Sequence, residues 1–103
     1  MKRYKVVLHP RVSRQLALHA AYIARVSKSA AIRFRREFEE IIRRMEVNPM
    51  LFPPYDTAPP RKETYRKALF AVWYKAIFSV EDNTVYIDAV IDGRRDREDN
   101  LTS

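Results

Sequence analysis

The chain has 103 residues, 47% of them hydrophobic, with 20 Lys/Arg against 13 Asp/Glu and a formal net charge of +7. That length makes a single domain, 1–103, with apolar residues enough for a core, which argues against global disorder. The absence of Cys excludes disulfides and thiol chemistry and fits a reducing cytosol. No apolar run approaches the roughly 20 residues needed to cross a bilayer, and no apolar segment follows the basic start, so a cytoplasmic protein without a signal peptide is expected.

The positive charge is uneven. Residues 1–48 carry twelve Lys/Arg against four Glu, residues 49–80 five against two, and residues 81–103 three against seven. Basic surface of this kind meets nucleic acid or an acidic protein, and charge alone does not choose between them.

The chain opens on an extended basic stretch, Tyr4-Lys-Val-Val-Leu8. Pro10 suits a first helical turn, and Val12, Leu16, Ala20 and Ile23 recur at helical spacing. The pattern breaks at Ser27-Lys-Ser29, where a hydroxyl can cap the next helix. Ala31, Phe34, Phe38, Ile41, Ile42 and Met45 then form one apolar stripe, ended by Asn48-Pro49. The short break predicts an antiparallel helical hairpin with both stripes packed in the core.

Residues 49–60 hold most of the prolines, which neither continue a helix nor donate to a sheet. They predict an ordered connector with Leu51, Phe52 and Tyr55 packing inward. Tyr65 to Phe70 and Trp73 to Val80 then read as strands. Glu81-Asp-Asn83 reads as a tight turn, with Asn83 the residue that tolerates a left-handed backbone. Beyond it Thr84, Tyr86 and Asp88 alternate with Val85, Ile87 and Ala89, and Val90 and Ile91 continue the strand. The only glycine, Gly93, ends it, where either a positive φ or a close backbone approach explains a residue without a side chain. Residues 97–103 are expected to fray as a tail.

The predicted fold is therefore α+β: an N-terminal strand, an antiparallel two-helix hairpin, then a three-stranded antiparallel meander. The helices pack on one face of a small antiparallel sheet. Whether the first strand lies at an edge or pairs centrally is left open by the sequence.

Chemistry-bearing motifs are few. The only histidines are His9 and His19, both near the first helix. His9 is expected to flank or cap that helix, and His19 to lie on its surface or in packing. No His/Asp/Glu cluster has metal-ligand spacing, and no Gly-rich phosphate loop is present, so neither a metal nor a cofactor is expected. The carboxylate pairs Glu39/Glu40 and Glu81/Asp82 fall on a helix surface and in a turn, which does not suit glycosidase chemistry. On the second helix Arg35/Glu39, Arg36/Glu40, Glu39/Arg43 and Glu40/Arg44 fall four apart and should largely compensate one another. Arg61, Lys62, Arg66 and Lys67 have only Glu63 among them, whereas Arg94, Arg95 and Arg97 interleave with Asp92, Asp96, Glu98 and Asp99.

In their joint order and spacing, Tyr4-Lys-Val-Val-Leu-His-Pro10, Ala21-Tyr22-Ile23-Ala24, Asn48-Pro49, Tyr65-Arg66-Lys67, Tyr74-Lys-Ala-Ile-Phe78 and Gly93-Arg94-Arg95-Asp96 resemble the ParE/RelE superfamily of bacterial toxins. The resemblance spans about residues 4 to 96. It implies the toxin of a type II toxin–antitoxin pair, of the plasmid-stabilising, growth-arresting kind. Two activities divide that superfamily. RelE-like members cut messenger RNA in the ribosomal decoding site, with the RNA's 2′-hydroxyl as nucleophile; the protein supplies positive charge and proton transfer. ParE-like members poison DNA gyrase by binding it.

The resemblance implies Arg66, Arg94 and Arg95 as target-binding residues. For a ribonuclease, Arg66 and Arg95 would hold the scissile phosphate with Lys62 nearby. The proton carrier is missing. Asn100-Leu101 stands where RelE-like proteins place a Tyr, and Asp92 where many relatives carry His. A carboxylate with a pKa near about 4, among arginines that favour its charged form, is a weak acid–base catalyst at neutral pH. The ParE-like reading is therefore preferred, with the ribosome-dependent endonuclease as the alternative and a member that only binds its antitoxin as a third. A cognate antitoxin is the implied partner, in a hetero-oligomer. Leu18 and Tyr22, a second apolar stripe on the first helix, and Trp73 are its expected docking residues, with Phe70 and Tyr86 lining part of the sheet.

Overall fold

The computed structural model describes residues 3–55 and 65–94. Its elements run β1 (Lys5–Leu8), α1 (Pro10–Ala24), α2 (Lys28–Val47), a 3-10 turn (Pro49–Leu51), β2 (Arg66–Phe70), β3 (Tyr74–Glu81) and β4 (Thr84–Asp92). The strand–hairpin–meander order is the expected one.

Both helices begin as their sequences dictate. His9 caps α1: its ring Nδ1 accepts from the Arg11 N–H at 3.1 Å, and Pro10 fills the first turn, where no N–H is missed. Ser27 caps α2 by accepting from the Ala30 N–H at 3.1 Å. Val12, Leu16 and Ala20 from α1 meet Phe34, Phe38, Ile41 and Met45 from α2 in one core with Ala68, Phe70, Tyr74, Ala76, Phe78, Val85, Ile87 and Val90 of the sheet. Ring packing gives that core its shape: Phe34 lies 4.8 Å from Tyr74 and 5.2 Å from Phe70, the Tyr74 contact edge-on as the ring quadrupoles favour.

The sheet order is β1-β4-β3-β2. β2–β3 and β3–β4 are antiparallel, but β1 lies at an edge and runs parallel to β4, from Lys5 opposite Thr84 to Leu8 opposite Ile87. The sheet is thus mixed, not purely antiparallel. The reason is the hairpin: it returns the chain to the end where β1 begins, where the Tyr4 N–H donates to the Glu46 carbonyl at 2.8 Å, so β2 sets out in the direction of β1 and two reversals leave β4 parallel to it.

The residues of β4 depart from simple alternation. Pairing jumps from Phe78–Ile87 to Ile77–Ala89, so Asp88 is an extra residue, a β-bulge. The bulge shifts the buried phase from Val85 and Ile87 to Val90, leaving Ala89 off the core face. It also carries β4 past the end of β1, where no strand remains to satisfy its outer edge. Two side chains of α1, one turn apart, take over. Gln15 Oε1 accepts from the Val90 N–H at 2.8 Å, and His19 Nε2 donates to the Val90 carbonyl at 3.2 Å. This docks α1 on the bulged strand and satisfies two partly buried backbone groups.

Turn chemistry differs from expectation at two places. In the β3–β4 turn the left-handed residue is Asp82, φ 56°, not Asn83. In the three-residue β2–β3 turn, Ala71 and Val72 adopt φ of 48° and 76°. With the Trp73 N–H donating to the Ala71 carbonyl at 3.0 Å, Val72 centres a γ-turn of the strained hand. A β-branched residue in that region is a genuine outlier. Gly93 has no positive φ; it is small because a Cβ there would stand 2.3 Å from the Trp73 carbonyl oxygen, which accepts the Gly93 N–H at 2.7 Å. Of the connector residues expected inside, Phe52 is buried and Tyr55 half-buried, but Leu51 is exposed, since the 3-10 turn points it outward.

Candidate functional site

The end of β4 meets the β2–β3 turn beneath the α1–α2 junction, and the chemistry-bearing side chains gather there. Asp92 pairs with Tyr74 across the sheet and so shares its face, toward the helices. Arg94 folds back on Asp92: its N–H and Nε donate to Oδ1 at 2.9 and 3.3 Å, and Nη2 donates to Oδ2 at 3.1 Å. Its guanidinium also stacks on the Trp73 ring, 4.1 Å from the centroid. Arg94 is therefore held in one orientation, with its side chain 52% exposed while that of Asp92 is 12% exposed.

These contacts set the protonation states. Burial by itself would raise the Asp92 carboxyl, but the side-chain and backbone hydrogen bonds from Arg94, its charge and that of nearby His19 outweigh it and hold the carboxyl below its ordinary range. Tyr74 goes the other way. Burial, reinforced by the Asp92 charge, raises its phenol above the ordinary value against the opposing pull of Arg94 and a Trp73 hydrogen bond. His19 lies 4.9 Å from the Tyr74 ring, edge-on, with Nε2 committed to Val90.

The sequence offered no titratable neighbour for these arginines beyond Asp92. The structure places Tyr74 and His19 in the same cluster, both in the role of packed residues. Tyr74 was legible only as part of a strand; its alternation with Ala76 and Phe78 is the signal that marks it as buried, and its nearness to Arg94 depends on the β3–β4 register, which no local pattern encodes.

Arg66 stands elsewhere. It opens β2 opposite Phe78, whereas Arg94 follows the Tyr74–Asp92 pair. The four residue steps of β3 from Tyr74 to Phe78 span about 13 Å. Arg66 Nη1 donates to the Phe52 carbonyl at 2.6 Å, with Met50 O at 3.4 Å, and so clamps the connector against the sheet. Arg66 and Arg94 are thus not brought together. Lys62 and Arg95, like residues 97–103, lie outside the described residues.

The docking residues are disposed as a surface. Leu18 and Tyr22 are 70% and 62% exposed along α1, and Trp73 and Tyr86 are each 39% exposed. Tyr22 and Trp73 line one cleft of about 340 Å³ together with Arg94. Phe70 takes the core role that burial favours for such aromatics, packed against Phe34 and Phe38. The expected compensation on α2 does not form. Among the described residues the ion pairs within 4.0 Å are Arg3–Glu46 and Arg94–Asp92, and Arg44 lies 4.9 Å over the Phe52 ring instead. Solvated long side chains gain little from such pairs and lose rotamer freedom in making them. Among the described residues no group of three His, Cys, Asp or Glu is placed to hold a metal ion, and no helix is long and apolar enough to cross a membrane.

Comparison with known proteins adds two findings. Residues 6–97 match the family described as the ParE toxin of the type II toxin–antitoxin system parDE. Among solved structures the chain is similar to one in the archaeal RelE–RelB complex from Pyrococcus horikoshii OT3, at 21% identity and a TM-score of 0.51, over 90% of this chain and 98% of that one. That likeness is one of fold. No curated protein sequence matches.

Proposed function

The chain belongs to the ParE toxin family of type II toxin–antitoxin systems, and from that premise we propose that it arrests growth by binding DNA gyrase and stalling it on cleaved DNA, without cutting RNA. The observation that carries this reading is the state of Arg94. A ribonuclease needs free arginines for a crowded phosphate and a proton carrier that titrates near neutrality; Arg95, which the resemblance assigns to that phosphate, lies outside the described residues, and Arg94 is its described neighbour. Here the guanidinium is forked onto Asp92, so its charge is already met. Of the titratable groups around it, three are poorly suited to proton transfer: Asp92 is held ionised, Tyr74 is buried with its phenol raised, and His19 bonds a backbone carbonyl; the fourth, Tyr22, is exposed on α1.

Binding asks for something different. A fixed arginine stacked on an indole is a preorganised protein-recognition element, and Arg and Trp are enriched where interfaces concentrate their energy. Arg94 with Trp73 beside it is thus the described part of the gyrase-facing surface, to which Arg95 belongs by sequence. Arg66 supports it from a distance by holding the connector.

An endonuclease reading has one observation in its favour, the presence of Tyr22, Tyr74 and His19 around the Arg94–Asp92 pair. The burial of Tyr74 and the prior hydrogen bond of His19 count against it. The antitoxin is the second partner proposed, docking in a hetero-oligomer on the face that carries Leu18, Tyr22 and Trp73.

A supercoiling assay with purified gyrase tests the reading. The unaltered protein is expected to inhibit, and Arg94→Ala to weaken inhibition about tenfold or more. Inhibition that is absent, or indifferent to Arg94→Ala, overturns it.

A further inference from the structure

The β2–β3 turn is built against the preferences of its own residues. A three-residue hairpin turn that needs positive φ ordinarily takes Gly, Asn or Asp. Here it reads Ala71-Val72-Trp73, with φ of 48° and 76° at the first two. Ala71 has a packing reason for its conformation, since it lies against the core. Val72, 84% exposed, has no such reason. A lone exposed valine needs no explanation, but a β-branched residue held at positive φ does.

Three contacts from other elements hold the turn in that state. Glu37 Oε1, reaching over from α2, accepts from the Ala71 N–H at 3.2 Å. The Gly93 N–H, at the end of β4, donates to the Trp73 carbonyl at 2.7 Å, an approach open only to a residue without a Cβ. The Arg94 guanidinium covers the Trp73 ring at 4.1 Å. Each acts on a neighbour of Val72 and leaves the valine side chain in solvent. Strained residues persist where their surroundings over-determine them, and they gather at active sites and binding clamps. The product of the strain here is an apolar side chain set out beside the Arg94–Trp73 stack.

The surroundings also describe the partner. Arg33 and Arg94 stand with Val72 and Trp73 around one cleft. Arg33 makes no ion pair among the described residues, and the one carboxylate of that lining, Glu37, is committed to the turn. A surface apolar at its tip and basic around it fits an apolar pocket with carboxylates at its rim. We propose that Val72 is the insertion tip of the gyrase-facing surface: it enters such a pocket of the target, with Trp73 packed beside it and Arg33 and Arg94 on the rim carboxylates. The proposal rests on the gyrase reading and deepens it. At Val72 fold stability and target binding are then opposed, so relief of strain and loss of binding go together.

The test uses the full-length protein, with thermal melting and the half-inhibitory concentration in the gyrase supercoiling assay measured on each variant. Val72→Gly and Val72→Asn suit a positive φ and remove the apolar tip. Each is expected to raise the melting temperature by about 4 °C or more and the half-inhibitory concentration about tenfold or more. Val72→Thr keeps the branch and the strain and loses only apolar surface. It is expected to melt with the unaltered protein and to inhibit about threefold less well or worse. Leu51→Asn, at an exposed position of the connector, is the control without effect. A turn with a merely structural role would gain stability and keep its inhibition, and that result overturns the proposal. So does a melting temperature that neither Val72→Gly nor Val72→Asn raises, since the strain is then absent. Inhibition kept with antitoxin affinity lost assigns the tip to the antitoxin and overturns it as well. An unaltered protein that does not inhibit gyrase overturns both this inference and the reading beneath it.

Discussion

Asp92 shows how one carboxylate can commit a neighbouring arginine. A carboxylate two residues before an arginine can bridge its backbone N–H and its guanidinium at once, and Asp92 does both. The sign of its effect on stability is set by its lowered pKa. The folded state binds fewer protons than the unfolded one in the acid range, so the stabilisation is fully present above the unfolded value of about 4 and is lost as pH falls through the lower folded value. Melting temperatures of the native protein and of Asp92→Asn should therefore differ at neutral pH and converge below about pH 4. A gap that stays constant across that range contradicts the account. Gly93, next in the chain, illustrates a different limit of sequence reading. Its smallness was legible and two causes were open. The structure selects the close approach of the Trp73 carbonyl, a contact made across the sheet that no local pattern reveals.

At the level of elements, the helices were the most legible part of the chain. Their caps, apolar stripes and stop signals are local, and the structure keeps Pro10, Ser27 and Asn48 in the expected roles. The strands were legible in number and less so in phase. The bulge at Asp88 inserts one residue and exchanges the faces of the residues after it, so alternation pointed to Ala89 where the core uses Val90. The parallel placement of β1 was equally hidden, because it depends on where the hairpin returns the chain. Gln15 and His19 are the consequence of that arrangement, closing the β4 edge where β1 ends. Gln15→Ala leaves the partly buried Val90 N–H without its partner and should cost about 1–3 kcal/mol in denaturant unfolding. A loss well below that range would mean that water replaces the amide and that α1 is docked by its apolar stripe alone.

Across the whole molecule, charge and shape divide the labour. The helical half carries most of the positive excess, and α2 leaves it largely unpaired. The apolar ridge of α1, the strained β2–β3 turn and the Arg94–Trp73 stack converge at one end of the fold. Family membership was legible because it rests on the order of motifs along nearly the whole chain, and the family match over residues 6–97 agrees. The site was legible only in part. Tyr22, Trp73 and Arg94 were each singled out as residues, but their convergence in one cleft is a property of the fold, as is the separation of Arg66 from Arg94. On the proposed function, arginine here serves binding and not phosphodiester cleavage. The most direct measurement is induced expression in a bacterium, with plasmid topology and messenger RNA integrity scored in the same cells. The account predicts loss of supercoiling and accumulation of cleaved DNA with messages intact, and messages cut in the ribosomal A site with supercoiling unaffected would contradict it.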